Sequence, residues 1–143
     1  MARTYANDPL SKFRYTVSIP GLPAGIGFNK ISGLKKELEV TEYTEGGYSY
    51  TRKIVGKEKI ENVTFERGMF NGKELEDLYK KALSDPDFRT TVTITLNDRF
   101  GKPTNRKWTL AEAWVSSWEG SDFDSSSSDV AIEKIVMEFE YYM

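Results

Sequence analysis

The feature that most constrains this fold is a recurring period of two. In TVTITL (residues 91–96), Val92, Ile94 and Leu96 alternate with Thr91, Thr93 and Thr95. Successive side chains of a strand point to opposite faces, so this pattern predicts a strand with one buried face and one hydroxyl-covered face. FRYTVSIPG repeats it with Phe13, Tyr15, Val17 and Ile19 and stops at Pro20-Gly21. Near the other end, Ile135, Met137, Phe139 and Tyr141 alternate with Lys134, Glu138 and Glu140. Val130 and Ile132 are in the opposite phase, which predicts a bulge or bend near Glu133.

Between these strands the period changes once. In NGKELEDLYKKALSDP, Leu75, Leu78, Tyr79, Ala82 and Leu83 share one helical face. Asn71 with Glu74 reads as a capping box, and Asp85-Pro86 as the stop. Ile60, Val63 and Phe65 predict a further strand before the helix. Trp108, Leu110, Trp114 and Trp118 predict one strand face after it, although Leu110, Trp114 and Trp118 are also four apart, as a helix would place them. The expected fold class is mainly β (α+β): a β-sandwich or rolled β-barrel of about six to seven strands with one flanking helix.

The 143 residues suit a single domain spanning 1–143, with a short N-terminal arm at about 1–10. Hydrophobic content is 38%, charged content 29% and net charge −2, so no strong global field draws the chain to nucleic acid or to an anionic membrane. There is neither cysteine nor histidine. That removes disulfides, thiolate chemistry and Ser-His-Asp catalysis, and leaves carboxylate hydrolysis or an all-oxygen metal site as the accessible enzyme chemistries. No apolar run reaches membrane-spanning length, and MARTYANDPLSKF lacks the apolar core of a signal peptide, so assembly in a bacterial cytoplasm is expected.

Several stretches invite a site reading. Asp122, Asp124 and Glu133 have the spacing of a calcium loop, but Ser127 stands where the sharp turn needs glycine, and no helix flanks it. A solvated loop explains it with less. The tryptophans suit a β-sandwich binding module for carbohydrate or protein if exposed, with Trp118 the best placed; burial is the simpler reading for Trp108 and Trp114. Glu58, Glu61 and Glu66 are candidate paired carboxylates without a pocket signature, and Arg52, Lys53, Lys57 and Lys59 alternate with acids as a solvated surface does. No cofactor or metal is expected.

VTEYTEGGYSYTRKIVG (residues 40–56) resists a bland reading. Two runs flank a glycine pair, which predicts a hairpin over about 37–56, and Val40 and Ile54 suit a core. Its outer half offers Glu42, Tyr43, Glu45, Gly46, Gly47, Tyr48, Tyr50 and Arg52, which no intrachain core would bury. A long two-stranded ribbon is marginal alone in water, and tyrosines suit interfaces, so the arm is expected to complete another subunit.

The ordered set of motifs resembles the inner tail-tube proteins of contractile injection systems, a family that includes contractile-phage tails, phage-tail-like bacteriocins and extracellular injection machines. The resemblance begins at Asp8-Pro9 and the Phe13–Ile19 strand. It continues through Phe28 and Ile31-Ser32-Gly33-Leu34, an "SGL" signature, then Tyr43 with Glu45-Gly46-Gly47, an "EGG" turn, followed by Arg52-Lys53 and Gly56. Asn62, Thr64 and Arg67-Gly68, then Trp108, Ala113-Trp114 and Ala131-Ile132-Glu133, complete it. The resemblance implies hexameric rings stacking into a hollow tube, with the hairpin contacting the adjacent subunit or ring, and no catalysis. It also implies a sheath protein, a baseplate or hub initiator and a tape-measure protein as partners, DNA or effector cargo in the lumen, and a phage tail or released particle as the destination.

Overall fold

The computed structural model describes residue 10, residues 14–22 and residues 27–143. The chain runs β1 (Tyr15–Ser18), β2 (Lys30–Ser32), β3 (Lys36–Tyr43), β4 (Arg52–Ile60), β5 (Val63–Gly68), α1 (Glu74–Ser84), β6 (Thr90–Asn97), β7 (Pro103–Gly120), β8 (Ile132–Glu138) and β9 (Tyr141–Tyr142). The fold is mainly β with one helix, as the periodicity predicts. Strands β1, β6, β7, β8, β5 and β2 pair in that order, all antiparallel, with β9 added to β7, while β3 and β4 form a separate ribbon. The main sheet is one continuous path rolled around a single core. Its end strands β1 and β2 do not pair with each other, and an apolar cleft lined by Tyr15, Val17, Phe28, Ile31, Ile94 and Trp108 opens at this seam. The expected N-terminal arm lies outside the described residues except for Leu10.

The core follows the alternation. Val63, Phe65, Val92, Leu110, Ala113 and Ile135 are fully enclosed, and Leu75 and Leu78 of α1 complete the same cluster. The two outward faces differ in chemistry. Across β1, β6 and β7 the register aligns Thr16 with Thr95, and Ser18 with Thr93 and Thr109. Across β2, β5, β8 and β7 it aligns Lys30, Glu66, Lys134 and Glu119 in a row of alternating sign, an arrangement that favours this register.

Strand β7 departs from the simple reading. It bonds to β6 in its first half and to β8 in its second, so it carries the sheet around the roll. Its register slips between Ala113 and Leu110, with Glu112 at φ 55°, and again between Val115 and Ser117. Each bulge inserts one residue and reverses which side chains face inward. The expected common face of Trp108, Leu110, Trp114 and Trp118 is therefore broken. Trp108 packs against the core, whereas Trp114 lies outside it with the Arg89 guanidinium 5.6 Å from its ring. Trp118, expected to be the exposed one, is half-buried against the core.

Other corrections are local. The helix begins at Glu74 after Lys73, with no side-chain cap, so Asn71 does not cap it; Glu74 is drawn instead to Arg67. Leu83 is 71% exposed, because the buried stripe narrows to Leu75 and Leu78 by the last turn. Ile60 ends β4 instead of beginning the next strand. Glu133 shares the inward phase of Ile135, Met137 and Phe139, so no bend is needed there. The break follows Phe139, after which Tyr142 packs on the core and Tyr141 turns outward.

Candidate functional site: the protruding hairpin

The ribbon is longer than its sequence signature. It covers Lys36–Tyr43 and Arg52–Ile60 and runs straight through Gly56, where a stop was expected. Leu38 pairs with Glu58 but Val40 with Val55, so β4 carries one extra residue opposite Glu39. Gly56 occupies this bulge, and a Cβ there would stand 2.9 Å from the Glu39 carbonyl oxygen. Only glycine lets the two strands stay this close.

Every residue of β3 is exposed, and β4 is exposed except at Gly56 and Ile60. Val40 and Ile54, expected to suit a core, are 62% and 52% exposed, because nothing among the described residues packs over the ribbon. Cross-strand register places Leu38, Val40 and Val55 on one face, continuing from Ile60 at the edge of the core. An apolar stripe thus leaves the barrel uncovered.

The tip is a loop over 44–51, wider than a two-residue turn. Tyr48 N donates to the Glu45 carbonyl oxygen at 3.0 Å, and neither Gly46 nor Gly47 adopts a positive φ. A Cβ at either glycine would meet nothing within 4 Å, so the pair does not make the turn through conformational freedom. The structure does bring the aromatic residues together. The Tyr48 and Tyr50 rings are 5.5 Å apart, the Arg52 guanidinium lies 5.4 Å from the Tyr48 ring, and Arg52 also opposes Tyr43 in register. Glu42 opposes Lys53. All eight candidate residues are exposed.

The base is held firmly. Gly33 has φ 98°, and a Cβ there would come within 2.3 Å of the Asn62 carbonyl oxygen. This is the glycine of the "SGL" signature, and it brings the two roots of the ribbon together. Lys35 Nζ pairs with Glu37 at 3.4 Å and Glu61 at 3.5 Å, and both acids push the Lys35 pKa up. The Lys35 backbone N donates to the Tyr142 hydroxyl at 3.3 Å, and Asn62 Nδ2 donates to Glu138 Oε1 at 3.1 Å.

At the far end of β5 lies a network that sequence reading did not single out. Arg67 and Glu133 are 4% and 3% exposed, and Arg67 Nε donates to Glu133 Oε1 at 2.7 Å. Arg67 Nη2 donates to Glu74 Oε2 at 3.0 Å, and Trp118 Nε1 to Glu133 Oε2 at 3.2 Å. Both Glu133 oxygens are thereby committed, which answers the calcium-loop spacing. Asp124 instead accepts from Ser126 N and Oγ within its own turn. The tryptophan binding-site reading loses Trp118 to the same network. Glu61 is drawn to Lys35 and Glu66 stands between two lysines in register, so Glu58, Glu61 and Glu66 form no carboxylate pair. The signal available in sequence was the position of Arg67 and Glu133 within strand-flanking motifs. Their pairing needs the β5–β8 register, which opposes them.

A family model, T4-like virus tail tube protein gp19, matches residues 11–143. Among solved structures, a chain from an extracellular contractile injection system, the PVC sheath–tube complex in the extended state, is 26% identical. The match covers 96% of this chain and 92% of that one, with a TM-score of 0.83. A chain from the PVC sheath/tube terminator in the extended state is 27% identical over 94% and 95%, with a TM-score of 0.83. One from the anti-feeding prophage baseplate is 25% identical over 94% of each chain, with a TM-score of 0.80. No curated protein matches the chain.

Proposed function

Since the chain belongs to the T4-like virus tail tube protein gp19 family, we propose that it is the repeating subunit of the inner tube of a contractile injection system, and that its protruding hairpin is the arm joining one copy to the next. Hexameric rings of this subunit stack into a hollow tube inside a contractile sheath. The tube starts on a baseplate, runs along a tape-measure protein and conducts DNA or protein cargo when the sheath drives it through an envelope. The sheath–tube and baseplate context of the similar structures supports the first two partners. The work is mechanical and calls for no reacting group.

The observation that carries this reading is the ribbon itself. An arm held firmly at its base displays Leu38, Val40, Val55 and a tyrosine cluster with no cover among the described residues. Isolated ribbons of this kind are marginal in water, and their free edges recruit other chains. A second copy supplies both the missing packing and the missing strand partners. The proposed contact set is Glu42, Tyr43, Glu45, Gly46, Gly47, Tyr48, Tyr50 and Arg52, to which the exposed stripe adds Leu38, Val40 and Val55.

The test is a Tyr48→Ser, Tyr50→Ser double variant. Neither ring touches the core, so circular dichroism and the thermal midpoint should match wild type. Negative-stain microscopy should show tubes or rings for wild type and neither for the variant. Normal tubes from the variant would exclude the tip as the contact, and a wild type that stays monomeric at high concentration would overturn the tube reading.

A further inference from the structure

Two loops at opposite ends of β7 carry matching tips of opposite charge. The β6–β7 turn presents Phe100, 73% exposed, between Arg99 and Lys102, and Arg106 and Lys107 follow as β7 begins. The one acid in that turn, Asp98, is used internally: its Oδ1 accepts from Phe100 N and Lys102 N, both at 2.9 Å. The β7–β8 loop presents Phe123, 81% exposed, between Asp122 and Asp124, with Asp129 and the exposed Val130 beyond. No cation occurs between Ser121 and Ala131. One loop is an exposed phenylalanine in a basic frame, the other an exposed phenylalanine in an acidic frame.

The topology sets where they stand. Consecutive antiparallel hairpins place their turns at opposite ends of the shared strand, so the basic turn and the acidic loop leave the barrel at opposite ends. The hairpin roots lie at the start of β5, which faces the end of β8, while the acidic loop leads into the start of β8. One end of the molecule therefore bears the arm, and the other bears the acidic loop.

We infer that these two loops form the ring-to-ring contact, with the Arg99-Phe100-Lys102 turn of one copy seated on the Asp122-Phe123-Asp124 loop of a copy in the next ring. This rests on the tube reading above and assigns its stacking faces. A head-to-tail contact needs two different, complementary surfaces at opposite ends of one chain, and repeating it generates a filament without closing. Opposite charge around each phenylalanine fixes orientation and disfavours turn-to-turn and loop-to-loop pairing, in which like charges meet. The occupant of each face is therefore a second copy of this chain.

Charge exchange tests the assignment. Arg99→Glu with Lys102→Glu should leave rings of normal mass by mass photometry but abolish tubes in negative stain. Asp122→Lys with Asp129→Lys should do the same; Asp124 is spared because it holds its own turn. Mixing the two variants should give tubes of alternating rings, because every face then meets its opposite charge, and all four changes in one chain should also restore tubes. Wild-type tubes should shed rings as salt is raised to about 1 M, where screening shortens to roughly 3 Å. Tubes from either double variant alone, loss of rings along with tubes, or no rescue in the mixture and in the four-change chain would each overturn the stacking assignment. The first and third leave the tube reading standing. Wild-type material without rings or tubes overturns that reading itself.

Discussion

At the scale of single residues, glycines hold the geometry that the arm depends on, and one buried charge pair holds the opposite end of the barrel. Gly33 joins a positive φ to a close approach on the Asn62 carbonyl, so any side chain meets both backbone strain and a clash. Gly33→Ala should cost on the order of 2–4 kcal/mol, read as a lowered urea midpoint, while Gly46→Ala and Gly47→Ala, with open space around them, should change the midpoint little. Arg67 and Glu133 are a different kind of constraint. A buried ion pair adds little net stability over apolar packing, yet breaking it leaves an uncompensated charge. Their combined reach, from β5 and β8 through Glu74 to the helix start and through Trp118 to β7, ties four elements at one end of the barrel.

At the scale of elements, β7 decides the shape. Its left-handed residue, Glu112, marks where the strand leaves β6 and turns toward β8. A β-branched side chain is poorly accommodated at φ 55°, so Glu112→Val should lower stability by about 1–2 kcal/mol in thermal unfolding, whereas Glu112→Gly should be tolerated. This also explains what the sequence could and could not reveal. Strands such as β6, with unbroken alternation, were legible residue by residue, and so was the helix through Leu75 and Leu78. The tryptophan face was not, because a bulge shifts phase without leaving a composition signal. Asn71 looked like a cap because local pattern cannot show that Glu74 is claimed by Arg67 across the fold. The hairpin was legible through its glycines and tyrosines. Its full length was not, because Gly56 reads as a stop when it is a bulge.

At the scale of the whole molecule, the barrel and its arm respond to pH through groups at known places. The Glu74 carboxyl is held below its ordinary pKa, first by its own backbone N–H and then by the Arg67 guanidinium. A group with a depressed folded-state pKa contributes stability above its unfolded value, near 4.3, and loses it as pH falls through the folded value. The thermal midpoint should therefore fall below about pH 4, and Glu74→Gln should flatten part of that decline while lowering the plateau at neutral pH.

The length of β7 carries a mechanical consequence. Because one strand reaches from the basic turn to the acidic loop, a pull applied between those loops runs along covalent backbone from end to end. A pull that enters through β6 or β8 instead loads their ladders to β7 in shear, where many hydrogen bonds must fail together rather than one at a time. In the proposed tube, a subunit loaded along this line would yield at its contacts with other copies before its own sheet came apart.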